Sequence, residues 1–312
     1  HGIYDRSDMN WHKKFTRFGI IDPNNAMTTT KEYIFITKPD LCLLDLKNHN
    51  KPNPILSNST FFDDAISRYN DIAKQLQISV SSGDGPFINV LSNSVTSSLE
   101  IPGISAEDIE TGGNIMGTRM SYRGTSYKSD IGHDFNLEFE DTKYLDIYML
   151  FNMYDEYEKL KWNAALDFSP DKCGSDRWQQ YIINKVLHDQ MSIYKFVVAE
   201  DGYRIIYWAR ITGCYPNSIP RDAFGDMSGV GPQKLTVGWK GHFVRDMDPV
   251  IIYQFNQIVS SMVNKSSGDL PLFNQSGHIM EGDWASIPYI HVQNVGTTSH
   301  GIRKEYYLRW RK

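Results

Sequence analysis

The most regular hydrophobic pattern in the chain lies at residues 133–160, HDFNLEFEDTKYLDIYMLFNMYDEYEKL. Three apolar side chains alternate with polar ones and predict a strand with one buried face: Phe135, Leu137 and Phe139. Asp141 or Thr142 then provides a cap for a helix. Its apolar positions recur at helical spacing: Leu145, Tyr148, Met149, Met153 and Tyr157. The segment holds no nucleophile, ligand cluster or phosphate loop, so the pattern indicates a structural unit.

Further strands are predicted by runs of β-branched and aromatic residues. Residues 31–38 and 118–127 each predict one strand, the second interrupted at Gly124. Residues 194–211 predict a β-hairpin, because two such runs flank an Asp201–Gly202 turn. A bend, GCYPNSIP, follows at 213–220. A long strand begins after it, with alternating apolar positions: Leu235, Val237, Trp239 and Phe243.

Helical spacing recurs in two other places. Thr60 is predicted to cap a helix, with Asp63 as its capping-box partner. The buried stripe of this helix is Phe62, Ile66, Tyr69, Ala73 and Leu76. Asp176 is predicted to cap another helix that runs to about Met191.

The remaining segments have weaker patterns. Residues 79–98 are serine-rich and predict a surface insertion or a pair of short strands, and residues 105–108 predict a brief helical turn. Residues 250–263 are apolar and fit either a strand or a helix. Little periodicity is present in 264–301, which predicts a loop, and residues 303–312 fit a terminal strand or an ordered tail.

Together these elements predict an α+β, mainly β fold: an antiparallel β-sandwich or barrel with flanking helices and large insertions. A doubly wound parallel sheet is excluded, because no β–α–β rhythm repeats along the chain. The predicted division is an N-terminal arm at 1–30, a β-sandwich at 31–256 and a C-terminal extension at 257–312. Insertions are predicted within the sandwich at about 41–117 and 161–192.

Composition narrows the class of protein. The chain has 312 residues, 40% of them hydrophobic, and a net charge of −5, which indicates an ordered globular protein rather than a nucleic-acid binder held by phosphate contacts. No apolar run reaches the roughly 18 residues of a membrane span, so we expect a soluble protein without a membrane anchor. The three cysteines form no zinc-like spacing and predict buried thiols in a reducing compartment.

Candidate chemistry is sparse, and no residue is assigned as catalytic, cofactor-binding or metal-binding. Four weak candidates remain: an anion-binding turn at Ser81–Gly85, a Cys173–His188 pair, a metal-binding His133–Asp134 pair, and an acidic helix face of Asp155, Glu156 and Glu158. For each of them a plain structural or solvated role is the favoured interpretation.

The C-terminal residues interleave basic and aromatic side chains: Arg303, Lys304, Tyr306, Tyr307, Arg309, Trp310, Arg311 and Lys312. Such interleaving can bind single-stranded nucleic acid. It is equally typical of an edge strand whose charges prevent uncontrolled pairing, and we favour that interpretation.

One ordered series resembles a known family. SYRGTSYKSDIGHDFNLEFEDTKYLDIYMLFNMYDEYEKL (121–160), the hairpin at 194–211, the bend ITGCYPNSIP (211–220) and the strand KLTVGWKGHFVRD (234–246) are similar, in this order, to the tail tube proteins of tailed bacteriophages. The resemblance covers roughly residues 118–256, and the chain is about twice the length of a minimal tube subunit.

The resemblance implies a virion structural protein, assembled in the host cytoplasm, that builds the tube of a contractile tail. In that family, six-membered rings stack into a conduit through which DNA is ejected without specific binding, with sheath or baseplate proteins as further partners. It also implies that residues Phe135, Leu137, Phe139, Leu235, Val237 and Trp239 build the sandwich and that the hairpin 194–211 pairs with a neighbouring subunit. The implied protein is not an enzyme and uses no cofactor.

Other functions remain open at this point. A tube-initiating baseplate protein or a tube terminator would share the fold and carry additions of the same kind. Two hypotheses belong to different classes: an enzyme using Cys173 and His188, and a carbohydrate-binding or adhesion module with surface aromatic residues.

Overall fold

The description rests on a computed structural model. The structure describes residues 30–39, 41, 43, 51–53, 56, 59–76, 86–101, 103, 105–110, 121–128, 132–163, 190–221, 234–267, 288–298 and 301–310. Within these residues the fold consists mainly of antiparallel strands with a few helices, which confirms the predicted α+β, mainly β class.

The main sheet is antiparallel and has the strand order β1-β5-β6-β7-β4, with β8 paired to β6. The strands are β1 (Lys31–Ile36), β4 (His133–Glu140), β5 (Met191–Val198), β6 (Ile205–Ser218), β7 (Lys234–Gly241) and β8 (Phe243–Asp246). Two separate two-stranded sheets are formed by β2 (Ser105–Glu110) with β3 (Ser121–Lys128) and by β9 (Pro288–Thr298) with β10 (Gly301–Trp310). No closed barrel forms among the described strands.

Five helices accompany the sheets: α1 (Thr60–Arg68), α2 (Asn70–Gln75), α3 (Asn89–Ser94), α4 (Asp146–Trp162) and α5 (Pro249–Ser267). In α4 the predicted capping residues act from upstream of the helix. The carboxylate of Asp141 accepts hydrogen bonds from the backbone N–H groups of Ile147 (3.0 Å) and Tyr148 (3.1 Å). The hydroxyl of Thr142 accepts one from the N–H of Asp146 (3.3 Å). These bonds satisfy N–H groups that lack partners within the helix.

The first core fills one face of the sheet, where β4 and β7 place their alternating apolar residues against the helices. The six sandwich residues predicted from the sequence are all buried and face one another in register, as Phe135↔Trp239, Leu137↔Val237 and Phe139↔Leu235. Helices α1–α4 contribute to this core, as do apolar residues of β1, β5 and β6. Alternation with one buried face therefore located these two strands correctly.

The second core lies on the opposite face of β1, β5 and β6, under α5 and the β9–β10 hairpin. Phe255 of α5 packs against aromatic rings of the sheet, with ring centroids 5.0 Å from Phe196 and 5.3 Å from Tyr194. Ile290 and Leu308 anchor the hairpin in the same core. Strand β5 is thus buried on both faces, which explains its nearly continuous apolar sequence.

Several predicted elements differ in the structure. Residues 105–108 belong to strand β2 rather than to a helical turn, and residues 288–298 form strand β9 within the segment predicted as a loop. The apolar segment 250–263 is helical, as part of α5, and residues 303–310 are strand. Residues 86–99 contain α3 in place of two strands.

Two details of the predicted helices are wrong. No side-chain cap forms at the start of α1, so the predicted capping box is absent, although Phe62, Ile66, Ala73 and Leu76 are buried as expected. In α4 the fully buried side chains include Ile147, Leu150 and Phe151, which the predicted stripe omitted. This helix is covered on more than one side, and a single apolar stripe underestimates its burial.

The bend predicted at 213–220 is a β-bulge inside one long strand. Strand β6 continues for 14 residues to Ser218, and its register shifts between Met191 and Ser192 of β5, opposite Gly213. Gly213 has φ +68, and a Cβ there would lie 2.7 Å from Cδ2 of His242. Glycine is therefore required where β6 leaves β8 and begins to pair with β7.

The predicted three-part division stays a prediction. The predicted boundary between the sandwich and the C-terminal extension, at residue 256, falls inside helix α5. The arm at 1–29 and the helix predicted from Asp176 lie outside the described residues.

Candidate assembly surface

Strands β4 and β7 present a polar face on the side of the sheet opposite the first core. Its β4 positions are Asp134, Asn136, Glu138 and Glu140, and the facing β7 positions are Lys240, Gly238, Thr236 and Lys234. This face follows directly from strand alternation, because the apolar partners of these residues fill the first core. Three carboxylates and two ammonium groups lie on it, so its net charge is close to neutral and slightly negative.

The charges on this face are partly paired. Lys234 Nζ lies 2.7 Å from Glu138 Oε1 and Lys240 Nζ lies 3.8 Å from Asp134 Oδ1. The hydrogen bond from Lys234, followed by one from the Thr96 hydroxyl, lowers the pKa of Glu138 below its usual value. The same contact raises the pKa of Lys234. The contact therefore favours the ionised forms of both Glu138 and Lys234.

Residues 86–99 of the same chain bond to a short part of each outer strand of the five-strand order, at the C-terminal ends of β1 and β4. At β1, Ile88 N–H donates to the Ile36 carbonyl (2.8 Å) and Ile36 N–H donates to the Ser92 hydroxyl (3.2 Å). At β4, Thr96 N–H donates to the Glu138 carbonyl (2.8 Å). This segment therefore links the two edges of the sheet, in the place that further strands would fill in a closed barrel.

A buried ion pair fastens this segment to the sheet. Lys195 Nζ of β5 lies 3.1 Å from Glu32 Oε2 of β1, and their side chains are 11% and 22% exposed. The Glu32 carboxylate also accepts hydrogen bonds from the Ser98 hydroxyl (2.6 Å) and the Leu99 N–H (2.8 Å). Lys195 Nζ donates to the Leu99 carbonyl (2.5 Å). The four residues form a polar network between two strands and the linking segment.

The hairpin at 194–211 is not an edge of the sheet, which contradicts the structural basis of its predicted pairing with a neighbour. Strand β5 pairs with β1 along one side and with β6 along the other. Strand β6 pairs in turn with β7 and β8. Both strands are therefore internal, and their backbone hydrogen bonds are used within the chain.

Strand β4 begins at His133, opposite Gly241, and Gly132 N–H donates to the His242 carbonyl (3.5 Å) just before β8 begins. Among the described strands, β8 pairs with β6 alone. Met247 N–H donates to the Trp208 carbonyl (2.9 Å). Antiparallel alternation therefore directs the backbone groups of Val244 and Asp246 outward. We call these outward groups of residues 243–246 the open edge.

Four exposed large apolar side chains follow one another closely in sequence, in β8 and at the start of α5. Phe243 is 63% exposed and Tyr253 is 69% exposed, and Met247 and Val250 lie between them in sequence at 47% and 45%. Large apolar residues at this exposure are typical of an interaction surface when several occur together.

The β9–β10 hairpin extends beyond its anchor in the second core. The Asn256 side chain of α5 pairs with the backbone of Ile290, donating to its carbonyl (2.9 Å) and accepting from its N–H (3.0 Å). Leu308 N–H donates to the Tyr203 carbonyl (2.8 Å). Beyond these contacts the described side chains of 293–296, with Ile302 and Lys304, are exposed. We call residues 293–296, Ile302 and Lys304 the distal part of the hairpin.

The weak chemical candidates gain no support from the geometry. No group of three or more metal-binding side chains occurs in the described part of the chain, where His133 and Asp134 lie at the start of β4. Asp155 and Glu156 both pair with Lys159, at 2.7 and 2.8 Å, so this helix face is compensated. The turn at 81–85 and the Cys173–His188 pair lie outside the described residues.

The third cysteine, Cys214, is buried in the first core, as predicted for a structural thiol. Burial raises the pKa of its thiol to about 12. A thiol in this state is a poor nucleophile at neutral pH.

The basic and aromatic C-terminal residues form strand β10. The guanidinium of Arg309 lies over the rings of Tyr203 and Tyr307, at 5.1 and 5.7 Å from their centroids, and the Trp310 ring lies 5.1 Å from that of Tyr33. These aromatic side chains are engaged within the protein, in agreement with the structural interpretation. No described helix combines the length and apolarity needed to cross a membrane.

The sequence patterns did not predict the unpaired side of β8 or the hairpin of β9 and β10. Their only sequence signals are Gly241, where β7 gives way to β8, and the weak alternation of PYIHVQNVGTT in β9. Neither signal separates an open edge from a paired one.

No family model matches the chain, and no curated protein matches its sequence. Among solved structures, the chain is similar to a sheath/tube terminator of the extracellular contractile injection system PVC in its extended state, with 13% identity and a TM-score of 0.28 over 50% of this chain and 84% of that chain. It is also similar to the tube-terminating cap of the anti-feeding prophage, with 10% identity and a TM-score of 0.26 over 48% and 80% of the two chains.

A third similarity is to the PVC sheath-tube complex in its extended state, with 11% identity and a TM-score of 0.25 over 46% of this chain and 75% of that chain. All three solved structures are parts of phage-tail-like particles, and each overlaps about half of this chain at most.

Proposed function

We propose that this chain is a structural subunit of a phage tail or a related contractile particle, with the major tube subunit as the leading assignment. One observation carries the proposal. Four strands of the tail-tube-like series lie side by side in one sheet, in the order β5-β6-β7-β4, and α4 contributes to the core on its apolar face. The first strand of the series, β3, pairs with β2 in a separate sheet, so the unit that supports the proposal is the sheet of β4 to β7 with α4.

The sheet supports a role in assembly. Its polar outer face has no deep set of converging reactive groups, and its charges balance through Lys234–Glu138 and Lys240–Asp134. A nearly neutral, slightly negative wall suits a lumen through which DNA passes without specific binding, since phosphate affinity depends on clustered cations. The proposed role uses neither catalysis nor a cofactor.

The proposed assembly is a six-membered ring that stacks into a tube and contacts sheath or baseplate proteins. Electron microscopy of the purified full chain, with light scattering on the same sample, tests it. We expect rings or hollow tubes. A species that remains monomeric at millimolar concentration would contradict the proposal. Isolated rings that bind only the ends of preformed tubes would assign the chain as a terminator instead.

The adhesion hypothesis predicts a different result. A glycan-binding module would bind defined carbohydrates as a monomer, so a glycan-binding screen on the same preparation separates the two functions.

A further inference from the structure

We infer that the guanidinium groups of Arg210 and Arg245 form a binding site for a small oxyanion of phosphate or carboxylate geometry. Arg210 lies within β6, and Arg245 lies directly opposite it on β8. On its other side Arg210 lies opposite Tyr194 of the second core, so the site is on the face of the sheet that carries α5. The inference goes beyond the proposed function and does not depend on it.

The first argument is the sign of the two charges. Residues directly opposite in antiparallel strands have their Cβ atoms about 4.5–5.5 Å apart on one face, so two like charges there are destabilising. In the other described strand pairs, two charged residues that lie opposite each other have opposite signs: Asp108↔Arg123, Asp134↔Lys240 and Glu140↔Lys234. Arg210↔Arg245 is the exception, and an anion bound between the two groups removes the repulsion.

The second argument is the environment of Arg210. Its side chain is half-buried and forms no ion pair with the described residues. Its Nη1 donates to the side-chain oxygen of Gln254 in α5, which is neutral. Its Nε is buried and has no hydrogen-bond partner in the part of the chain that the structure describes. Arginine does not lose its proton in proteins, so this charge is compensated only by an anion from outside.

The neighbouring polar groups supply too little negative charge. The Tyr194 hydroxyl is fully buried and accepts no hydrogen bond from the described residues, and burial raises its pKa, so it remains neutral. Asp248 lies 3.7 Å from Arg245, whereas Asp246 points to the opposite face of β8 by strand alternation. One carboxylate therefore serves two guanidinium groups, which leaves the site with a net positive charge.

The donors indicate which anions fit. A guanidinium group presents its N–H donors as a planar fork that pairs with two oxygens of a carboxylate or a phosphate. The Arg245 side chain is 62% exposed, so the anion approaches from the solvent on this side. Chloride has no pair of oxygens and acts only through screening. The occupant is either a free oxyanion or an acidic side chain of a second copy, because both satisfy the same donors.

Inorganic phosphate is the probe, and sodium chloride at the same ionic strength is the reference. Thermal unfolding of the full chain is followed by circular dichroism in both salts. An ion that binds only the folded state raises the unfolding temperature as its concentration exceeds its Kd. We expect phosphate to raise the unfolding temperature of the wild type above its value in chloride, with a Kd of about 1 mM.

Arg245→Gln is the principal variant, because an exposed side chain can be replaced without loss of the fold. We expect it to raise the Kd for phosphate by about tenfold or more, and Arg210→Gln to do the same. Arg210→Lys keeps the charge but loses the fork, and should raise the Kd by about threefold. The matched control is Arg221→Gln, which removes an exposed arginine 3.6 Å from Asp155 and should leave the effect of phosphate unchanged.

Sedimentation equilibrium distinguishes the two sources of the oxyanion. If an acidic side chain of a second copy occupies the site, phosphate competes with it. Self-association then weakens by about tenfold in excess phosphate and in Arg245→Gln, but not in Arg221→Gln. If a free ion occupies the site, self-association is equal in the two salts. Either result, together with the expected unfolding temperatures, supports the site.

An effect of phosphate no larger than that of chloride, in both unfolding and sedimentation, overturns the inference. A phosphate effect that persists in Arg245→Gln and Arg210→Gln also overturns it, because the ion then binds elsewhere. The proposed function is tested independently by the wild type in chloride. Rings or tubes under that condition support it even if phosphate has no effect, and a monomer that binds phosphate contradicts it while leaving the oxyanion site standing.

Discussion

The ion pair between Lys195 and Glu32 makes a quantitative prediction about how residues 86–99 are held on the sheet. Replacing Glu32 with Ala leaves the Lys195 ammonium buried, with the Leu99 carbonyl and the Ser98 hydroxyl as its nearest partners. Removing one member of a buried pair costs about 3–5 kcal/mol. Because the Glu32 side chain is 22% exposed, water compensates in part, and we expect about 3 kcal/mol, the lower end of that range.

A double-mutant cycle isolates the pair from other effects. We expect Lys195→Met to cost about 2 kcal/mol, because the Glu32 carboxylate keeps the Ser98 and Leu99 donors. The double variant Glu32→Ala/Lys195→Met should cost less than the sum of the single changes by about 2 kcal/mol. The matched control is Lys159→Met, which breaks a half-exposed pair with Asp155 and should cost about 0.5 kcal/mol.

Urea unfolding followed by tryptophan fluorescence gives these free energies, and native-state hydrogen exchange at Leu99 reports local release of the segment. Loss of protection at Leu99 in Glu32→Ala, with Trp239 still buried, would show that the pair holds the segment rather than the whole sheet. Additive free energies in the cycle, within about 0.5 kcal/mol, would refute the reasoning and assign the segment to its apolar contacts.

Three further predictions concern single sites. Gly241→Ala should cost about 1–3 kcal/mol in urea unfolding, because its Cβ would lie 2.4 Å from Cγ2 of Ile211; wild-type stability would show that the strands separate easily there. With the other two cysteines replaced by serine, Cys214 should react with a thiol reagent only after unfolding. Its raised pKa also predicts lower stability as pH rises above about 9, where only the unfolded thiol ionises, and a serine variant should lack this slope. Lys234 lowers the pKa of Glu138 in the folded protein, so the ionised carboxylate stabilises the fold above about pH 4.5 and this contribution is lost as the pH falls. In Glu138→Gln the free energy of unfolding should therefore no longer show this small decrease below about pH 4.5. An acid profile equal to that of the wild type would contradict this.

Strands with one buried face could be predicted from the sequence, and those with two could be predicted only in part. In β4 and β7 every second residue is apolar, so the face of each residue followed directly, including the Phe135–Trp239 pair. In β5 both faces are buried, one against α4 and the other against Phe255. Its apolar run predicted a strand but carried no sign of where the strand lay in the sheet.

The C-terminal elements show what local patterns omit. The apolar segment 250–263 fitted two structures, and it is a helix because Ile251, Ile252, Phe255 and Val259 form one stripe on the second core. The sequence did not predict strand β9 because its buried residues, Pro288 and Ile290, are confined to its first turn of alternation, and the other described side chains are half-buried or exposed. Tertiary contacts, rather than local propensity, decide such segments.

The position of the open edge could not be predicted, because it depends on the relative lengths of three strands. Strand β6 has 14 residues and is matched on one side by β7 and β8 in succession, joined at Gly241 and His242. Strand β4 has eight residues and covers β7 alone. Among the described strands, β8 therefore pairs with β6 alone, and beside it only Gly132 N–H donates to the His242 carbonyl (3.5 Å). A clear hairpin signal such as Asp201–Gly202 marks two strands that pair with each other, so one edge of each strand is already hydrogen-bonded within the hairpin. The edges available for assembly are therefore found among strands with the weakest local signals, which is where β8 and β9 lie.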